Sequence, residues 1–230
     1  MRVFKKPYER SKSITHKYKV FVRQNGLCLF IYFLLRKLFF IFYKHLFRKC
    51  GSIFIAGSFR ISGKQSIEIG KLFAGRRITI DAITHFYDKM YSPEILIGRN
   101  VSFGDDVHIA CTNNIRIGDN VLFGSHIYMT DHDHGIYSGD SVKHSSPTEP
   151  PSSRKLTDKG FVIIGDNVHV GEYVCIMKNV QIGKGSIIGA QSVVTRNIPE
   201  YSIAVGNPAK VIKKFDFQNH VWISTDNGVS

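Results

Sequence analysis

Acidic side chains are almost missing from the first fifty positions. Residues 1–50 hold 13 Lys and Arg against the single acid Glu9, while residues 51–230 hold 18 basic and 17 acidic side chains, so the formal net charge of +13 is an N-terminal property. Nucleic-acid binding would have to rest on that arm alone, and its aromatics are interleaved with leucines, a composition suited to a lipid surface. Cysteine is scarce too. Cys28, Cys50, Cys111 and Cys175 form no CxxC spacing, which argues against a disulfide framework or a thiolate zinc site and leaves four packing residues in a reducing compartment. No unbroken apolar run reaches the roughly 20 residues that a membrane-spanning helix needs. The richest stretch, residues 27–47, reads LCLFIYFLL and LFFIFY around Arg36 and Lys37, and each charge at a helix centre costs about 2.5 to 3.5 kcal/mol on insertion. A secretory leader fits no better, because residues 2–23 are polar and basic and no small-residue cleavage site follows the apolar run. The expected location is the cytoplasm.

Period-two alternation, the mark of half-buried strands, is also missing. In its place an aliphatic or large apolar residue returns every sixth position, at Ile97, Phe103 and Ile109, at Ile117, Phe123 and Met129, and at Ile164, Val170, Ile176, Ile182, Ile188 and Val194. Gly follows most of them, and a second aliphatic comes four residues on, at Val101, Val107, Val121, Ile127, Val168, Val174 and Val180. A six-residue step fits neither helix nor flat strand. It fits a solenoid that turns a corner every six residues and stacks its inward aliphatics coil on coil, with glycine placed where the backbone must bend. The expected fold class is all-β, a parallel β-helix. Two interruptions stand out. Cys111 to Asn114 adds two residues between Ile109 and Ile117, expected as a small bulge at a corner. Residues 130–161, rich in Ser, Pro, Asp and His, cannot stack and are expected as a long protruding loop, the kind that usually carries function on a rigid scaffold.

Three stretches, IGDNVLFGSHIYMTDHDHG (117–135), IIGDNVHVGEYVCI (163–176) and IGAQSVVTRNIPEYSIAVGNPAKVIKK (188–214), carry a resemblance to the hexapeptide-repeat acyltransferases that spans about residues 53–214. Within that superfamily the chain resembles most the sugar O-acetyltransferases of the maltose, galactoside and surface-polysaccharide type. The resemblance implies a left-handed coil, a homotrimer with active sites between subunits, acetyl-CoA as acyl donor and no metal.

A sugar hydroxyl is a feeble nucleophile until its proton leaves as it attacks, so acetyl transfer calls for a base, and neutral imidazole suits that role. His132 lies three residues past the inward Met129, at the mouth of the loop. Thr130-Asp131-His132 matches the Thr-x-His element in which the resembling enzymes carry their base, which makes His132 the expected catalytic residue. Asp131, Asp133 and His134 beside it are the expected substrate-binding residues, with the acids either fixing an imidazole tautomer or bonding sugar hydroxyls. The resemblance further implies that Gly171, Gly189 and Ala190 line the pantetheine groove and that Thr195 and Arg196 meet the nucleotide end. Lys210 and Lys213, with Lys214 beside them, are the cations offered to the CoA phosphates. Two positions depart from the pattern: His169 stands where many relatives have Trp, and Glu172 where a Ser is usual, both near the thiol end. His108, His126 and His144 show no partner in the sequence and default, with His169, to structural or surface roles.

The implied reaction is direct transfer in a ternary complex to a hydroxyl of a bacterial surface polysaccharide or its precursor, with backbone N–H groups holding the developing oxyanion. Alternatives are N-acetylation of a nucleotide-linked amino sugar, a carbonic-anhydrase-like metal site needing three converging imidazoles, and a non-catalytic solenoid. Residues 1–52 form an appendage. They are expected either to lie in the inner face of the cytoplasmic membrane, with Lys37, Lys44 and Arg48 sharing the water side, or to cap the open end of the coil. Residues 215–230 complete the chain as a tail.

Overall fold

The computed structural model describes residues 22–24, 26–137 and 144–225. The basic stretch as far as Phe21, loop positions 138–143 and tail residues 226–230 lie outside the described residues.

Every member of the six-residue series and every companion aliphatic is at most 3% exposed. The strands they form pair in parallel, and their register shows why the step is six. On the first face Ile97, Ile117, Ile164 and Ile182 are stacked neighbours; on the second Phe103, Phe123, Val170 and Ile188; on the third Ile109, Met129, Ile176 and Val194. Ile164 and Ile182 are 18 residues apart, three hexads to a coil. Each of these side chains contributes about 1.5 to 3 kcal/mol by leaving water, and stacking them in one column makes a continuous core. The expected left-handed parallel β-helix with a protruding loop and an N-terminal helix is the architecture observed. The coil opens at Lys49, four residues before the expected boundary, and its first two turns hold Ile53, Ile55, Ile61, Ile67, Ile69 and Leu72 in the same core.

Glycine's role differs from the expected one. At most bends the left-handed backbone falls on a residue other than glycine, as at Asn100, Asp106, Asn120, His126, Asn167, Tyr173 and Gln191, each two positions after a glycine, while Gly185 holds the same place after Gly183. The glycines are needed because coils touch there: a Cβ on Gly171 would lie 2.6 Å from the backbone N of Ala190, and one on Gly104 would lie 2.7 Å from the carbonyl carbon of Gly124.

Both ends of the coil are covered. At the start, helix α1 (Leu27–Tyr43) lays Phe40 into the core, its ring 5.8 Å from that of Phe54 and 5.6 Å from that of Phe59. Arg36 donates to the carbonyls of Ile55 (2.8 Å) and Gly57 (2.5 Å), groups of the first coil that have no strand above them. The capping role is therefore built. Of the expected water face, Lys37 and Arg48 are exposed and Lys44 is half-buried; Arg48 pairs with Glu68 and Glu94 on the coil, and Lys37 and Lys44 border a cleft between α1 and the first coil. A second stripe of α1, Leu27, Ile31, Leu35, Leu38 and Phe42, is apolar and exposed as well. Among the described residues no helix is long and apolar enough to cross a membrane. At the far end, Ser202–Val205 pairs with Lys210–Asp216, which pairs in turn with Val221–Ser224, both antiparallel, so the expected tail is half strand.

Candidate functional site

The third-face strand Ile127–Thr130 ends where the long loop leaves. Its next residue, Asp131, is wholly buried. The carboxylate accepts from the backbone N–H groups of Thr112 (2.9 Å), Asn113 (2.8 Å) and Asn114 (2.8 Å), and from the Thr112 hydroxyl at 3.2 Å. The two-residue insertion after Ile109 is thus more than a bulge: it turns three successive amides inward as a nest for one anion. Cys111 adds a thiol donor 3.2 Å from the same carboxylate, and burial, then the Asp131 charge, pushes that thiol's pKa up, so it stays protonated. Burial alone would raise the Asp131 carboxyl. The bonds from His132, from the Thr112 and Asn113 amides and from Cys111 outweigh it and hold the group below the ordinary carboxylate range.

The remaining partner of Asp131 is the His132 ring, whose Nδ1 stands 2.9 Å from Oδ1. An ionised carboxylate can only accept, so Nδ1 carries a proton, and in the neutral ring the lone pair is on Nε2. Thr130 frames the ring from the other side, with its hydroxyl 3.3 Å from Nδ1 and from the His132 backbone N. The ring is 7% exposed, and among the described residues no buried side-chain N or O lacks a partner and no hydrogen bond reaches Nε2. The open part of the ring is therefore Nε2. The arrangement supplies a basic nitrogen of fixed tautomer at a surface, the requirement for taking a proton from a hydroxyl.

Of the two roles expected for Asp131, its geometry favours fixing the imidazole: it is wholly buried under the nest and bonded to the His132 ring. Asp133 is half-buried and ion-paired with Lys178 of the next coil at 2.5 Å, while its backbone N–H donates to Thr157 Oγ1. His134 packs edge-on against Phe86 and bridges to Leu156 through its backbone; its ring lies 6.5 Å from that of His132. The loop itself returns to the coil. Asn113 Nδ2 donates to the Gly160 carbonyl, Thr112 Oγ1 to that of Thr157, and Tyr91 Oη to that of Leu156, so the described part of the excursion is stitched over the nest.

The other expected residues fall into two groups. Thr195 and Arg196 are exposed at the same corner as Asp131, two coils further on, because Met129, Ile176 and Val194 are in register. Gly171, Gly189 and Ala190 lie at the opposite edge of the third face, where Gly124, Gly171 and Gly189 stack. Gly124 and Thr130 lie six residues apart at opposite ends of that face, up to about 20 Å. Lys210 is paired with Val205 and Lys213 with Ile203, beside that glycine edge. His169 and Glu172 are exposed on the same side. Within one chain, then, the imidazole and the glycine column are not brought together. Two cavities, 790 Å³ under α1 and 620 Å³ at the Gly165 and Gly183 corner, lie away from His132. Among the described residues no group of three His, Cys, Asp or Glu is placed to hold a metal ion.

Residues that sequence reasoning missed are Thr112, Asn113, Asn114, Thr157 and Lys178. The insertion at 111–114 was the available signal. Of the other histidines, His126 stacks on Tyr173 at 4.4 Å near Asp106, and His108 stands 3.7 Å from Asp81 against Tyr128.

Comparison with known proteins adds three findings. Residues 161–196 match the family described as bacterial transferase hexapeptide (six repeats). WbbJ of Escherichia coli (strain K12), named provisionally as an O-acetyl transferase of lipopolysaccharide biosynthesis, is 40% identical over 56% of this chain and 64% of its own length. Rv3034c of Mycobacterium tuberculosis (strain H37Rv), named provisionally as an acetyltransferase, is 31% identical over 67% of this chain and 54% of its own. The chain thus spans less than two thirds of either relative. Among solved structures, a point mutant of AntD, an N-acyltransferase from Bacillus cereus in complex with dTDP-4-amino-4,6-dideoxyglucose and coenzyme A, superposes with a TM-score of 0.50. It is 21% identical and covers 78% of this chain and 90% of that one, a likeness of fold.

Proposed function

Because the chain belongs to the hexapeptide-repeat transferases, we propose that it is an acetyl-CoA-dependent O-acetyltransferase that modifies a sugar hydroxyl of a bacterial surface polysaccharide or its precursor. One observation carries this reading: a histidine whose Nδ1 is tied to a wholly buried carboxylate and whose Nε2 alone faces outward. His132 Nε2 takes the proton of the acceptor hydroxyl as its oxygen attacks the thioester carbonyl, and the Asp131 carboxylate stabilises the imidazolium so formed. As the C–S bond breaks the imidazolium returns that proton to the sulfur, so CoA departs as the thiol and the base is regenerated. Asp131 is a positioning residue: it sets the tautomer and touches neither substrate. WbbJ's name is the support for a glycan acceptor.

The exposed residues Thr195 and Arg196, with Lys210, Lys213 and Lys214, offer donors and positive charge that fit the phosphates of acetyl-CoA, and the glycine column at Gly171, Gly189 and Ala190 offers an edge without side chains for its amide arm. That column and His132 sit up to about 20 Å apart across one face. A complete site therefore joins the His132 corner of one subunit to the glycine edge of another, in a homotrimer. The exposed apolar stripe of α1 would hold the trimer at the inner face of the cytoplasmic membrane, near such an acceptor.

Transfer of label from acetyl-CoA to a panel of hydroxyl and amino acceptors tests the reading. Acetylated hydroxyl product from the wild type, absent with His132→Ala, is the expected result; label on amino acceptors alone overturns it. Light scattering should give three chains per particle. Leu35→Glu with Leu38→Glu, both on the exposed stripe, should release the protein from anionic vesicles and leave activity on short soluble sugars unchanged.

A further inference from the structure

A cavity away from His132 lies outside the proposed acetyl-transfer site. It runs between α1 and the first coil, about 790 Å³ in volume, in the size range of small-molecule sites. Phe30, Phe33, Leu34 and Ile41 form one wall, and Ile53, Phe54 and Phe73 form the other. Two polar side chains on α1 and its continuation line it, Lys37 and Lys44, two helical turns or about 10 Å apart. No lining residue is acidic. A continuous aromatic and aliphatic trough edged by two cations is complementary to a molecule that is apolar along its length and anionic at one end.

Other occupants fit less well. The chain's own first 21 residues hold seven Lys and Arg against Glu9, so this segment would bring more positive charge to the lysine edge. A second copy seated through the same trough would oppose Lys37 and Lys44 to their own equivalents. α1 is moreover apolar on both sides, with Phe40 turned to the core and Leu35, Leu38 and Phe42 turned to solvent at 61%, 53% and 73% exposure. Such a helix is typical of one that lies against a bilayer, and the trough opens beside that stripe through Leu34 and Ile41, which are themselves exposed.

We propose that the trough is a lipid site, which takes one hydrocarbon chain of a phosphate-headed membrane lipid while Lys37 and Lys44 hold the phosphate. The inference rests on α1 and the first coil. It does not rest on the acetyl-transfer reading, and its test contains no acetyl-CoA, so either can fail alone.

The full chain is titrated calorimetrically with 12-carbon lysophosphatidylglycerol below its micellar concentration. Parallel titrations use lysophosphatidylcholine of the same chain length and glycerophosphoglycerol, the headgroup alone. Saturable binding of one lysophosphatidylglycerol per chain is expected, at least tenfold weaker for the choline lipid and undetectable for the headgroup. Lys37→Glu with Lys44→Glu should weaken it at least tenfold. Ser52→Trp, which places an indole in the trough from an exposed position, should abolish it; Leu34→Trp serves the same purpose where the first variant unfolds. Equal binding of both lipids, binding of the headgroup alone, unchanged binding in the folded trough-filling variant, or association of chains in place of lipid uptake would each overturn the proposal.

Discussion

Replacing Asp131 by Asn removes one charge, leaves the shape almost unchanged, and sets two consequences against each other. Oδ2 of Asp131 receives the amides of Asn113 and Asn114, and Oδ1 receives the Thr112 amide and His132 Nδ1. An asparagine can offer an oxygen to one of these pairs only. If its NH2 takes the Oδ2 place, two buried amides face a donor, at about 1 to 3 kcal/mol each, so about 2 to 6 kcal/mol of the 5 to 15 typical of a domain is lost. If it takes the Oδ1 place, the amide faces Nδ1, the imidazole must turn its proton to Nε2, and the base is gone. The expected outcome is a destabilised protein, a loss of kcat on the order of 10² to 10⁴, or both. Denaturant unfolding and acetyl transfer with saturating acceptor measure the two. Acid unfolding supplies a further check. The folded-state pKa of Asp131 is held below its unfolded value of about 3.9. Its stabilisation is therefore present above that value and is lost as pH falls through the depressed one, so wild type and Asp131→Asn should converge in stability in strong acid. A variant within threefold of wild type in kcat, and equally stable at neutral pH, would refute the positioning role.

Three further substitutions probe separate parts of the molecule. His132→Ala should lower kcat by about 10² to 10⁴ with unfolding midpoint and particle mass retained, since only the ring's bonds to Asp131 and Thr130 are lost; near-normal turnover would remove His132 from the reaction. Gly171→Ala places a Cβ 2.6 Å from the Ala190 N and should cost about 1 to 3 kcal/mol by forcing two coils apart, read as a lower unfolding midpoint; an unchanged midpoint would show that close stacking does not dictate glycine there. Arg36→Ala strips the Ile55 and Gly57 carbonyls of their donor and should destabilise by about 1 to 3 kcal/mol, with backbone amide exchange in residues 49–62 rising before that of the later coils.

What the sequence made legible was the local and repetitive part. A six-residue period is set by neighbours along the chain, so the aliphatic series, the loop after Met129 and His132 at its mouth could all be read directly. The nest could not. Asp131 meets Thr112, Asn113 and Asn114 only because one coil stacks on another, at separations of 17 to 19 residues, and a two-residue insertion in isolation looks like a bulge. The same reason hid the true part of the glycines, whose constraint comes from the coil above and not from their own dihedral angles. It also limits what could be read of α1. Helical spacing placed Lys37, Lys44 and Arg48 on one face, and Lys37 and Arg48 are exposed there, but hydropathy cannot say which side of an all-apolar helix meets protein. Phe40 and Arg36 decide that question, one by filling the end of the core and the other by bonding the Ile55 and Gly57 carbonyls. Lys37 and Arg48 stay exposed beside the coil, and the apolar stripe of Leu35, Leu38 and Phe42 is left outside with them. A contiguous exposed apolar stripe of this kind marks an interaction surface, and only the stacked structure shows which side of the helix carries it.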